Sequence, residues 1–123
     1  MGKGMKKLKL TGEKIYIREW KIEDAKMLSA LGENAKLENA EIRILDWALK
    51  FTQTKLGTLP FFDLSDQLLG IISLQPKLIK NKAIFELRVV TAGETLADEF
   101  TLEAKHLMSQ YARETLGITE VVG

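Results

Sequence analysis

The chain has no cysteine, which removes disulfides, thiolate metal sites and cysteine nucleophiles together and suits a reducing, cytoplasmic setting. It has a single histidine, His106, with no carboxylate or cysteine cluster beside it, so no metal site is expected and the ring is assigned to the surface or a partner contact. No apolar run reaches the roughly 20 residues that span a bilayer, and the basic start is not followed by the hydrophobic region of a secretion signal. Charge of one sign is also missing. With 18 basic and 17 acidic side chains the net charge is +1, so neither nucleic acid nor a membrane surface is expected as a partner.

What is present suits one globular domain: 123 residues, 46% hydrophobic and 28% charged. Residues 1–7 read as a flexible basic leader and 8–123 as a single domain. Residues 1–20 carry six bases against Glu13 and Glu19, whereas 91–123 carry Lys105 and Arg113 against six acids. Oppositely charged ends attract, within one molecule or between two.

Periodicity supplies the elements. Leu8-Lys9-Leu10 and Ile15-Tyr16-Ile17-Arg18 flank Gly12 as a hairpin or bent strand. A helix begins at Ile22 with Glu23 and Asp24 in its first turn and is expected to end near Gly32. A second, over 38–56, places Ile42, Leu45, Leu49 and Thr52 on one stripe beside Trp47, Ala48 and Phe51, with Gly57 as its stop. Runs 58–64 and 68–74 turn at Ser65-Asp66-Gln67, with Asp63 and Asp66 as turn residues, and 83–90 follows a basic tip formed by Lys77, Lys80 and Lys82. These short connections predict three antiparallel strands in series. Phe100, Ala104, Leu107, Met108, Tyr111, Ala112 and Leu116 mark a helix over 99–116 closed by Gly117, and 118–122 reads as a last strand.

This order, and the local sequence, resemble the GNAT acetyltransferases, most of all the subgroup that acetylates ribosomal-protein amino termini. The resemblance is carried by Arg18-Glu19-Trp20-Lys21-Ile22-Glu23-Asp24-Ala25, by Leu69-Gly70-Ile71-Ile72-Ser73-Leu74, and by Glu103-Ala104 with Tyr111-Ala112-Arg113-Glu114-Thr115-Leu116-Gly117-Ile118. It implies an α/β (α+β) fold, a mostly antiparallel sheet under three covering helices, without the family's last helix and strands. By resemblance the function is acetyl-CoA-dependent N-acetylation of an amine. Glu86 would be the proton acceptor. Leu87, Val89 and Val90 would meet the pantetheine arm, and Leu96, Ala97, Asp98, Glu99, Phe100 and Thr101 the diphosphate.

Two departures open a second reading. Glu94, Ala97, Asp98 and Glu99 stand where the family's basic residue and glycines would hold phosphate, and a carboxylate about 8 Å from a phosphate costs roughly 2 kcal/mol at an effective dielectric near 20. The family's tyrosine acid has no counterpart, since Tyr16 and Tyr111 lie elsewhere in the pattern. The alternative is therefore a non-catalytic GNAT-fold module for protein interaction or another ligand. An apolar edge at Ile118, Val121 and Val122 predicts a homodimer or a strand-supplying partner through 118–122. Trp20, Trp47, Phe61, Phe62 and Phe85 read as core or rim aromatics, with Trp47 and Phe51 able to line an acceptor cleft.

Overall fold

In the computed structural model, which describes residues 7–31, 37–91 and 98–123, six strands form one sheet in sequence order. β1 (Lys9–Thr11), β2 (Ile15–Arg18), β3 (Gly57–Asp63), β4 (Leu68–Ile79) and β5 (Lys82–Thr91) pair antiparallel, each with the next. β6 (Val121–Val122) pairs parallel with β5, because α3 (Asp98–Glu114) intervenes and carries the chain back across the sheet. A short 3-10 turn, Ile22–Asp24, leads into α1 (Ala25–Leu31), and α2 is Leu37–Thr54. The expected mixed fold with a mostly antiparallel sheet is what forms.

Alternation along the strands sorts the core into two faces. Ile15, Ile17, Leu59, Phe61, Ile72, Leu74 and Leu87 meet Ala104, Met108, Tyr111 and Ala112 of α3. On the other face Trp20, Ala25, Ala40 and Ile44 pack with Trp47 and Ile71, while Tyr16, Phe62 and Leu68 meet α1 through Met27 and Leu28. Asp24 is 1% exposed and takes a bidentate pair from Arg18 at 2.7 and 2.8 Å, while also accepting the Lys21 N–H. The Arg-to-Asp spacing seen in the sequence thus becomes a buried link between β2 and the start of α1.

Several elements differ from the sequence expectation. On α2 the buried positions are Ala40, Ile44 and Phe51, whereas Ile42, Leu45 and Leu49 are 64, 61 and 56% exposed. Both sets recur at helical spacing, and the pattern alone does not say which of two apolar stripes faces the sheet. That helix stops at Lys55, at φ 62°, rather than at Gly57, which opens β3. The β4–β5 hairpin is longer than the apolar runs suggested, turning at Lys80 and Asn81, both at positive φ. α3 starts one residue early, at Asp98. The last strand is only Val121–Val122; Ile118 and Val121 pack partly on the core, and Val122 is 44% exposed.

Asp63 caps its turn by accepting the Ser65 and Gln67 N–H groups, and Asp66 accepts the Tyr16 hydroxyl at 2.5 Å. The opposite charges of the two chain ends meet within the molecule: Lys14 pairs with Glu99 at 2.7 Å, and Glu103 reaches the β1–β2 turn. Gly32 and residues 1–6 of the leader lie outside the described residues.

Candidate functional site

The residues singled out in the sequence fall into three places. Glu86 lies on β5 where its pairing with β6 reaches Val122, and alternation points it to the α1–α2 face of the sheet. The β4–β5 register sets Gln75 opposite Glu86 and Lys77 diagonal to it, and the Lys77 ammonium sits 3.4 Å from the Glu86 carboxylate. Glu86 is 31% and Lys77 49% exposed, so water and solutes reach the pair. Lys77 belongs to β4 rather than to the tip, and the cross-strand register is what brings it to Glu86.

Leu87 is buried on the opposite face, against α3, with Val89 packed partly on the same core; Val90 shares the Glu86 face and is 61% exposed. Alternation thus turns the Leu87 and Val89 side chains to one face of β5 and that of Val90 to the other. Gly123 approaches the Leu87 backbone so closely that a Cβ built on it would stand 2.3 Å from the Leu87 carbonyl oxygen. The main chain of Leu87 is thus covered by this chain's own backbone.

The third place is the start of α3. Asp98, Glu99, Phe100 and Thr101 belong to the helix's first turn; Leu96, Ala97 and Glu94 lie outside the described residues. Asp98 and Glu99 complement the helix dipole themselves, as first-turn acids do. Thr101 donates its hydroxyl to the Asp98 carbonyl at 2.9 Å, and Phe100 packs on the core. The Glu99 carboxylate holds Lys14, whose ammonium pKa is raised chiefly by that hydrogen bond. The described first turn therefore already carries negative charge of its own.

One turn further on, Glu103 accepts the backbone N–H groups of Glu13, Lys14 and Ile15 at 2.9, 2.8 and 3.0 Å. Burial pushes its carboxyl pKa up, and the three N–H donors outweigh burial and hold it below the usual value. Gly12 is needed for space: a Cβ there would lie 2.6 Å from the Glu103 carboxyl carbon. Glu103 thereby anchors the β1–β2 turn to α3. In the sequence it served only as a marker of family resemblance.

The aromatic residues pack on one another and on the core. Trp47 stacks on Trp20 at 5.3 Å, Trp20 donates its indole N–H to the Thr58 carbonyl, and Phe51 is 3% exposed against Tyr111. Tyr111 is buried and donates its hydroxyl to the Lys55 carbonyl at 3.1 Å. Of the basic tip, Lys77 and Lys82 are paired with Glu86 and Glu120. Among the described residues no cluster of His, Asp and Glu has a metal-holding arrangement, and no helix is long and apolar enough to cross a membrane.

No family model matches the sequence, and no curated protein matches it. Solved structures do. A GNAT-family acetyltransferase from Bacillus anthracis superposes with a TM-score of 0.68 at 13% identity, over 93% of this chain and 71% of that one. A structure described as a probable acetyltransferase reaches 0.76 at 22% identity, covering 94% and 72%. The ribosomal L7/L12 α-N-protein acetyltransferase RimL reaches 0.66 at 13%, covering 92% and 68%. At such identities the likeness establishes the fold, which is that of GNAT acetyltransferases.

Proposed function

We propose that this GNAT-fold chain is an acetyl-CoA-dependent N-acetyltransferase acting on an amine, with Glu86 as the proton acceptor. The observation that carries the reading is the fold, because the match extends over nearly the whole chain; Glu86 lies on β5 where that strand pairs with β6. In the reaction the amine nitrogen bonds to the thioester carbonyl carbon, the carbon–sulfur bond breaks, and the thiol leaves carrying a proton. An amine attacks only when its lone pair is free. Glu86 would take the proton from the acceptor's ammonium, directly or through water, and an acceptor ammonium would compete for that carboxylate with Lys77. No residue of the α3 first turn is assigned to the diphosphate.

The test is calorimetric titration with acetyl-CoA and with desulfo-coenzyme A, followed by a thiol-release assay with an amine acceptor. Micromolar binding together with thiol release that falls at least about 100-fold in Glu86→Gln supports the reading. Absence of heat and of thermal shift at millimolar ligand refutes it.

The acids of the α3 first turn and the Lys77–Glu86 pair favour a second reading, a non-catalytic GNAT-fold module that binds a protein or another ligand. On that reading the same titrations with acetyl-CoA and desulfo-coenzyme A are silent.

A further inference from the structure

We infer that the outer face of α2 is a self-association surface, on which a second copy of this chain packs its own α2 antiparallel about a two-fold axis at Leu45. Ile42, Leu45 and Leu49 are all exposed, and at about 100° per residue they lie within about 60° of one another around the helix. The stripe is opposite Ala40, Ile44 and Phe51, which are buried against the rest of the domain. Among the described residues α2 is the one element that exposes three large aliphatic side chains at helical spacing. The other exposed ones stand singly, apart from the neighbours Leu78 and Ile79 on β4. A contiguous apolar stripe at a surface marks an interaction site.

The stripe does not adjoin the last residues of the sequence. α2 packs on β3 and α1, and β6 lies three strands from β3 across the sheet, or roughly 14 Å. The exposed face of α2 also points away from that sheet.

Charge selects the occupant and its direction. Arg43, Asp46 and Lys50 follow one side of the stripe, with Lys50 bonded to Asp46 at 3.4 Å, and Glu41, Ala48 and Thr52 follow the other. In an antiparallel two-fold pair each side of the stripe faces its own counterpart. Centred on Leu45, the pair sets Ile42 against Leu49 of the second copy and Leu45 against Leu45 of the second copy. It also brings Arg43 to within about 1.5 Å, along the helix axis, of Asp46 of the second copy, and symmetry forms that ion pair twice. Asp46 is then shared between Lys50 of its own helix and the facing Arg43. On the other side the two Glu41 residues stand about 12 Å apart along the axis and do not repel at close range. A parallel pair would turn Arg43 and Asp46 to opposite sides, where they do not meet, and would align the two helix dipoles unfavourably. Three aliphatic side chains and their flanks supply less than the roughly 800 Å² per partner of a standard interface, so association is weak and concentration-dependent. This proposal does not rest on acetyl transfer.

The test is sedimentation velocity of the chain from about 5 to about 500 μM, with circular dichroism melts at the dilute end to confirm that each variant is folded. A monomer–dimer equilibrium that Leu45→Glu weakens by about tenfold or more supports the surface. Arg43→Asp and Asp46→Arg should each weaken it about fivefold. The double variant Arg43→Asp/Asp46→Arg should recover to within about twofold of the parent, because both ion pairs re-form with their charges exchanged. A chain that stays monomeric throughout, with or without binding to phosphatidylcholine vesicles, would overturn the proposal. So would a dimer insensitive to Leu45→Glu, which must use another surface, or a double variant no better than the single ones.

Discussion

Replacing Glu103 with glutamine tests how the two ends of the chain are held together. Its two oxygens collect three backbone N–H groups from the β1–β2 turn, one of them from Ile15, which is 0% exposed. The contact to Ile15 is partly buried and charge-assisted, worth about 1.5 kcal/mol, and the two exposed contacts add about 0.5 kcal/mol each. Glutamine keeps one acceptor and presents an NH2 group to N–H donors, so the expected loss is about 1–2 kcal/mol. Urea unfolding at neutral pH should show this as a lower midpoint with an unchanged slope.

The pH dependence has a definite sign. Because the folded-state pKa of Glu103 is depressed, its contribution is complete above the unfolded value near 4.5 and is lost as pH falls through the folded one. The glutamine variant should therefore lose less stability on acidification than the parent, so that the two curves converge at low pH. Gly12→Ala supplies a control, since its methyl must displace the same carboxylate. Combined with Glu103→Gln it should cost clearly less than the sum of the single changes. A glutamine variant within about 0.5 kcal/mol of the parent, or additive effects, would refute the anchoring role.

The other expectations are smaller in scope. Asp24→Asn leaves the half-buried Arg18 guanidinium without its carboxylate and should cost about 2–4 kcal/mol in chemical denaturation; an effect under about 1 kcal/mol would mean the pair is dispensable. Ile44→Ala should cost about 2–4 kcal/mol by opening a cavity, whereas Leu45→Ser should change stability by less than about 0.5 kcal/mol, and a reversed order would mean that α2 is rotated about its axis. Replacing Lys80-Asn81 with Asn-Gly puts residues tolerant of positive φ at both corner positions and should raise thermal stability by about 0.5–1 kcal/mol, with any destabilisation counting against the turn.

Much of the fold was legible because its signals are local. Alternation in β2 and β5, the turn at Asp63 to Gln67, and the three- and four-residue recurrence over α3 each depend on neighbours in sequence. The α2 error came from a quantity that is not local. Ile42, Leu45 and Leu49 match a core stripe as well as Ala40, Ile44 and Phe51 do, and only contact with Trp20 and Tyr111 decides between them. The candidate site was less legible for the same reason. Glu86 was found from its strand, but Lys77 reaches it through a cross-strand register. Glu103 meets residues about 90 positions away in sequence, and no periodicity encodes that contact.

By itself the sequence determined the element order, the absence of thiols among its residues and the acidic start of α3. These follow from composition and short-range stereochemistry. Only the tertiary structure decided which face of α2 is buried, that Lys77 lies beside Glu86, and that Glu103 holds the β1–β2 turn. Those outcomes depend on how strands register and how a helix rotates against them. Such choices are made by packing between residues far apart in the chain.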